Sequence, residues 1–225
     1  MITVAAIQPA VPTGADEHAA MMHAAWRLAA GAADSGAELI VLPEYLNAMG
    51  LDREAARQRA SDAHGIIEEA REFCRDAAVW LLLPIIEQRN DLLYNAAHLI
   101  SPSGDTVLRY DKTHLTITER RDLGLTAGDA VPVVDTPLGR LGVMTCYDLR
   151  FPEMARFLVD AGAEAIAVPA AWVTGPAKED HWTTLLRARA IENTAYVLGC
   201  GQTGPTWCGQ SAIIDPMGQI AASAG

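Results

Sequence analysis

The sequence predicts an α/β protein with helices packed on sheet. Two observations carry that prediction. Short, continuous apolar runs such as Glu38 to Leu42, Val79 to Ile86 and Ala163 to Pro169 read as buried strands. Segments with helical apolar spacing, such as Asp16 to Asp34 and Glu179 to Asn193, lie between them. Strands and helices therefore interleave along the chain, which favours helices covering a sheet.

In order, Ile2 to Gln8 reads as a buried strand ended by Pro9. Asp16 to Asp34 reads as a helix with Asp16 as N-cap and an apolar stripe of Met22, Trp26, Leu28 and Ala29. His18 and His23 on that helix have no neighbour at ligand spacing and read as solvated. Gly36 breaks the helix. Glu38 to Leu42 is a strand closed by Pro43-Glu44-Tyr45. Leu51 to Ala63 and Gly65 to Ala77 read as helices. Val79 to Ile86 is a strand with Pro84 inside it, which predicts an edge position or a bulge. Leu92 to Ser101 and Asp105 to Asp111 form a hairpin about Pro102-Ser103-Gly104.

Thr116 to Asp129 is a polar loop, long enough to suggest function. Val131 to Asp135 and Leu141 to Thr145 are strands about the turn Thr136 to Gly139. A helix runs from about Pro152 to Ala161, and the strand Ala163 to Pro169 follows. Trp172 and Gly175-Pro176 lie in the next loop. Glu179 to Asn193 is a helix, Tyr196 to Cys200 and Gln210 to Asp215 are strands, and Met217-Gly218 is a turn.

The 225 residues suit one domain with a substantial core. A formal net charge of -11 argues against a nucleic-acid or anionic-membrane surface. The four cysteines, Cys74, Cys146, Cys200 and Cys208, show no metal-ligand spacing. No metal is expected, and reduced thiols in the cytoplasm are. The N-terminal run has no basic region ahead of it, so no signal peptide is expected, and no apolar run approaches the length of a membrane span.

Three chemically useful residues stand at the exits of three apolar strands: Glu44, Lys112 and Cys146. Each has an ordinary alternative: a loop glutamate, a solvated lysine, a buried thiol. If the strands share a sheet edge, the three have complementary uses. A thiolate attacks an electron-poor carbon, a carboxylate takes and returns protons, and an ammonium stabilises an oxyanion. Helix-start amides after Cys146 would further favour negative charge on the thiol.

Three segments, Leu42-Pro43-Glu44, Tyr110 to Leu115 and Cys146-Tyr147-Asp148-Leu149-Arg150-Phe151-Pro152-Glu153, resemble the signature segments of the nitrilase superfamily of carbon–nitrogen hydrolases. Tyr94-Asn95, Gly128-Asp129, His181-Trp182 and Leu186 to Asn193 match as well, so the resemblance runs from Ile2 to about Gly218.

The resemblance implies a four-layer α-β-β-α sandwich, one hydrolase domain over residues 1–225, and assembly into homodimers or larger homo-oligomers. It implies Cys146 as nucleophile through a thioester, Glu44 as base, and Lys112 with the backbone N–H of Tyr147 as oxyanion donors. Many members use a further glutamate in the loop after the lysine. Glu119 is the only glutamate there, falls slightly early in register, and has Asp122 as a rival. Members usually continue for another strand and a tail, which this chain is expected to lack.

Cys146-Tyr147-Asp148 is similar to amidase-type branches, including omega-amidase-like and deaminated-glutathione-amidase-like members, where nitrilases carry tryptophan and glutamate. The expected reaction is hydrolysis of a small carboxamide to a carboxylate and ammonia, with no cofactor. Arg150 and Arg187 are candidate clamps for a substrate carboxylate, with structural ion pairs as the ordinary alternative. Tyr147, Arg150 and Trp172 are candidate substrate-binding residues. The alternatives are a carbamoyl-amine hydrolase, a nitrilase, a cysteine–histidine hydrolase using His114 or His181, and an inert binding domain.

Overall fold

The computed structural model describes residues 2–11, 18–49 and 52–225. The first half of the chain builds one sheet, in the order β1 (Val4–Ala6), β2 (Leu39–Val41), β3 (Trp80–Arg89), β4 (Leu92–Ile100) and β5 (Thr106–Asp111). The second half builds another. Its strands are β6 (Val133–Thr136), β7 (Gly139–Val143), β8 (Ala165–Ala170) and β9 (Tyr196–Gly201), with β12 (Ala212–Ile214) and β13 (Ile220–Ser223) beyond β9. Between β9 and β12 the chain makes a small separate hairpin of β10 (Thr203–Gly204) and β11 (Trp207–Cys208). The helices are α1 (His18–Asp34), α2 (Arg53–Ser61), α3 (Ala63–Ala77), α4 (Pro152–Asp160) and α5 (Lys178–Asn193).

The continuous apolar runs are explained by burial of both faces of each sheet. Within β2, Leu39 and Val41 point between the sheets, where they join Leu82, Leu99, Tyr110 and Val143. Ile40 and the following Leu42 point the other way, against Met21, Ala25 and Ala29 of α1 and Ala70 and Cys74 of α3. Each fully buried Leu or Ile contributes about 1.5–3 kcal/mol. On the second sheet, Met154 and Leu158 of α4 and Trp182 and Leu186 of α5 are buried in the same core as its strands. The result is the four-layer α-β-β-α sandwich that the resemblance implies.

The topology places three strand exits at one end. β1, β2 and β3 are mutually parallel, and two antiparallel pairings bring β5 back to the direction of β3. Glu44 and Lys112 therefore leave the first sheet at the same end. In the second sheet β7, β8 and β9 are parallel, and Cys146 follows β7.

Several expectations need correction. Pro84 lies on a central strand with unbroken register to β4 from Leu81 to Arg89, neither at an edge nor in a bulge. Its carbonyl accepts from Leu46 N–H on the β2 side, where β2 has already ended at Val41. The missing N–H therefore faces no ladder partner. In α1 the buried stripe is Met21, Ala25 and Ala29, while Leu28 is exposed. Asp16 and Leu51 lie outside the described residues. Gly65 is inside α3, and the cap of α2 is Asp52, whose carboxylate accepts from Ala55 N–H at 2.9 Å. A strand does follow Met217-Gly218. Asp215 Oδ1 accepts from Met217 and Gln219 N–H (2.9 and 2.8 Å), which turns the chain into β13 against β12. No helix among the described residues is long and apolar enough to cross a membrane.

Candidate active site

The second sheet delivers Cys146 through a strained turn. Thr145 is extended and Cys146 has φ +49, a left-handed conformation that costs a non-glycine residue about 1–3 kcal/mol. Cys146 also opens a 3₁₀ turn, Cys146–Arg150, ahead of α4. The turn holds its shape by a reciprocal cap: the Thr145 side chain accepts from the Asp148 backbone, and the Asp148 side chain accepts from the Thr145 backbone. A short 3₁₀ helix thus begins at the thiol itself, and α4 follows from Pro152 as the sequence suggests.

The first sheet delivers the other groups, and the ordinary surface readings of Glu44 and Lys112 fail because both are 1% exposed. Lys112 Nζ donates to Glu44 Oε1 and to Glu119 Oε1, both at 2.8 Å. Asn95 Nδ2 donates to Glu44 Oε1 at 2.7 Å. Ala171 N–H, at the end of β8, donates to Glu44 Oε2 at 2.7 Å and so ties the carboxylate to the opposite sheet. Glu119 lies in a short π-helical turn, Glu119–Leu123. It also accepts from the Tyr45 hydroxyl and, at 2.7 Å, from Thr116 N–H. Glu119 thus lies beside Lys112 and Glu44, whereas Asp122 is exposed.

Burial and charge set the proton affinities. Burial raises Glu44 above the usual carboxylate value, against the lowering effect of Lys112, and the nearby Glu119 adds to the rise. Burial works to raise Glu119 too, but the Lys112 charge and hydrogen bonds from Lys112, Tyr45 and Thr116 outweigh it and hold the carboxyl low. Burial alone would lower Lys112, yet Glu44 and the other acidic groups around it raise it and keep it charged. Burial and then Glu44 push the Cys146 thiol well above its ordinary value, with only partial relief from Lys112. Burial and the Glu44 charge therefore work against the amide-stabilised thiolate that the sequence suggests.

These groups meet at a cavity of about 430 Å³, of a size for a small molecule. Glu44, Lys112, Glu119 and Cys146 contribute its charged or reactive part. Met49, Ile86, Leu123, Trp172 and Trp207 contribute apolar wall. Tyr147 and Arg150 also line it, as does Lys178. The Arg150 guanidinium sits 4.8 Å from the Trp172 ring centroid and meets His181 Nδ1 at 3.5 Å. Trp172 is fixed by its indole N–H, which donates to the Lys178 carbonyl at 2.7 Å.

Arg187 is not a clamp in this cavity; its Nε donates to the Gly218 carbonyl at 2.8 Å. His114 does have an orienting carboxylate, Asp148, at 2.8 Å, which the sequence did not reveal. Neither His114 nor His181 lines the cavity, so the cysteine–histidine alternative loses its geometry. Sequence reasoning gave no role to Asn95, Tyr45 or the Ala171 N–H. Tyr94-Asn95 was visible as a matching stretch; the other two were not. Among the described residues, no group of three or more His, Cys, Asp or Glu side chains is arranged to hold a metal ion.

Comparison with known proteins bears on the family and the fold. A family model described as carbon-nitrogen hydrolase matches residues 3–225. A protein of Escherichia coli O157:H7 named deaminated glutathione amidase is 37% identical over 205 residues, covering 88% of this chain and 77% of that relative. The crystal structure of the C. elegans NitFhit protein superposes with a TM-score of 0.88 at 30% identity, over 100% of this chain. This chain spans 59% of that one. An amidase from Nesterenkonia sp. superposes equally well, with a TM-score of 0.88 over 100% of this chain and 86% of its own, and at 23% identity that likeness speaks to the fold.

Proposed function

This chain belongs to the carbon–nitrogen hydrolase family and is an amidase-type hydrolase, and on that premise we propose that Cys146, Glu44 and Lys112 hydrolyse a small carboxamide that also carries a carboxylate. The observation that carries the reading is the buried Glu44–Lys112–Glu119 ion cluster sharing one cavity with Cys146.

The Cys146 sulfur attacks the amide carbon while its proton passes to Glu44. Charge develops on the carbonyl oxygen and is met by Lys112 Nζ and the Tyr147 N–H, which stands in the first turn of a helix where such donors lack intrahelical partners. Glu44 returns the proton to the leaving nitrogen as the C–N bond breaks, which leaves a thioester. Glu44 then takes a proton from water, the hydroxide adds to the thioester, and Glu44 returns the proton to the departing sulfur as the C–S bond breaks and the acid is released. Glu119 keeps Lys112 charged and aimed. Every step is a proton transfer or an acyl transfer, and the residues present supply both.

Besides Lys112, Arg150 and Lys178 are the cations at the cavity, and among the described residues Arg150 rests on an aromatic face and a histidine with no carboxylate in its contacts. A substrate carboxylate would supply that partner. This reading accords with relatives named for an acidic amide, deaminated glutathione. We also propose a single hydrolase domain that works as a homo-oligomer in the reducing cytoplasm. Exposed Phe157 of α4, Ile191 of α5 and Met217, whose neighbour Gly218 abuts Ile191, supply apolar surface for a second copy.

The test is hydrolysis of a panel by the wild type and Cys146→Ala. The panel holds primary and N-substituted amides with and without a remote carboxylate, carbamoyl amines and nitriles. Cys146-dependent turnover that prefers the carboxylate-bearing amides supports the reading. Preference for nitriles or carbamoyl amines, or turnover that survives in Cys146→Ala, overturns it.

A further inference from the structure

Asp148 is fully buried, yet it neither lines the cavity nor belongs to the ion cluster. Its carboxylate is the meeting point of two segments that come from different sheets. From the nucleophile turn, Thr145 N–H donates to Oδ2 at 2.8 Å. From the segment that carries Lys112, the Tyr110 hydroxyl donates to Oδ2 at 2.7 Å. His114 reaches Oδ1 twice, through its backbone N–H at 3.0 Å and Nδ1 at 2.8 Å. Thr113 Oγ1 adds a longer contact at 3.3 Å. Lys112 is thus bracketed, two residues before and one and two after, by groups bound to one carboxylate. That carboxylate sits two residues after Cys146 and caps its strained backbone. Arg189 holds the far side of the same turn, with Nε and Nη2 on the Leu149 carbonyl at 3.1 and 2.8 Å.

We propose that Asp148 is a positioning residue that sets the separation between the Cys146 thiol and the Lys112 ammonium by binding both strand exits at once. The proposal rests on the roles of Cys146 and Lys112 proposed above. Two strands of one sheet are held in register by their ladder, but β5 and β7 lie in different sheets, packed face to face with no ladder between them. Apolar packing there is non-directional. A buried carboxylate with directed donors from both sides supplies the missing register.

The test is Asp148→Asn, which keeps the shape and removes the charge and half of the acceptor capacity. For folded variant the expected result is a kcat about 100-fold lower with KM within about twofold, the size of loss a small misplacement of reacting groups produces. Tyr110→Phe, which removes one donor only, is expected to lose about tenfold in kcat, again with little change in KM. The two losses are expected to be less than multiplicative in the double variant. The rate at which iodoacetamide alkylates Cys146 gives a second readout that needs no amide substrate, and it is expected to fall in Asp148→Asn. If Asp148→Asn does not fold, Tyr110→Phe carries both measurements. A variant with a lower melting temperature but unchanged kcat and unchanged alkylation makes Asp148 a stability residue only and overturns the proposal. Absence of amide turnover in the wild type would count against the proposed function, while the alkylation comparison would still decide the positioning role.

Discussion

At the scale of single residues, the site sets two carboxylates apart by environment. Glu44 and Glu119 both touch Lys112 Nζ at 2.8 Å, yet burial raises Glu44 while Lys112, Tyr45 and Thr116 hold Glu119 low. The carboxylate with the raised affinity is the one suited to shuttle protons, and the other is suited to remain an anion. Glu44→Gln is expected to lower kcat by about 10²–10⁴-fold with KM little changed; a loss below tenfold removes Glu44 as the base. The pH profile follows in sign. Glu44 acts only when ionised, so kcat/KM should fall with decreasing pH through a limb above the usual carboxylate value of 4.5. Because Lys112 is raised, it should add no limb near neutral pH on the alkaline side. Glu119, with its lowered value, contributes stability that is present above 4.5 and lost as pH falls through the lowered value. Glu119→Gln is expected to reduce both turnover and the pH dependence of the melting temperature in that acid range. Unchanged turnover in this variant would remove Glu119 from the machinery.

At the scale of elements, the loop after Lys112 matters through its backbone. Gly128 N–H donates to the Lys112 carbonyl at 3.0 Å, and a Cβ built on Gly128 would lie 2.2 Å from the Asp111 carbonyl oxygen. Only glycine lets the loop close so tightly on the strand exit that carries the ammonium. Gly128→Ala should therefore displace Lys112, with kcat lowered about 100-fold and stability reduced by about 1–3 kcal/mol, read by kinetics and thermal melting. Wild-type turnover in this variant would show that the exit is not set by the loop. Much at this scale was readable from local pattern. The Pro102 to Gly104 hairpin, the β6–β7 turn and the start of α4 at Pro152 follow from turn and cap chemistry between near neighbours. Pro84 was misread because its tolerance depends on where β2 stops, a fact about a strand some forty residues earlier. The two-residue strands of the β10–β11 hairpin are too short to carry a period at all.

At the scale of the whole molecule, the site exists only where two sheets meet. Glu44, Lys112 and Glu119 come from the first sheet and the loop that follows it and Cys146 and Ala171 from the second sheet's strand exits, joined by the bond from Ala171 N–H to Glu44. Activity and far-UV circular dichroism should therefore be lost at the same urea concentration, in one cooperative transition. Activity lost at clearly lower urea, with the dichroism intact, would mean that the site opens locally without the fold. The amino-acid sequence by itself determined the longer strands and helices, because hydrophobic period and turn chemistry act over a few residues. It also marked Glu44, Lys112 and Cys146 as strand-exit residues and carried the family resemblance in three short segments. Only the tertiary structure decided that Lys112 is buried and not solvated, that Glu119 and not Asp122 enters the site, and that Arg150 and not Arg187 lines the cavity. It alone showed Asn95 and Ala171 holding Glu44 and Asp148 joining two strand exits. Those outcomes depend on desolvation and hydrogen bonds between residues that lie far apart in the chain. No local pattern records which distant partner will exclude water from a charge.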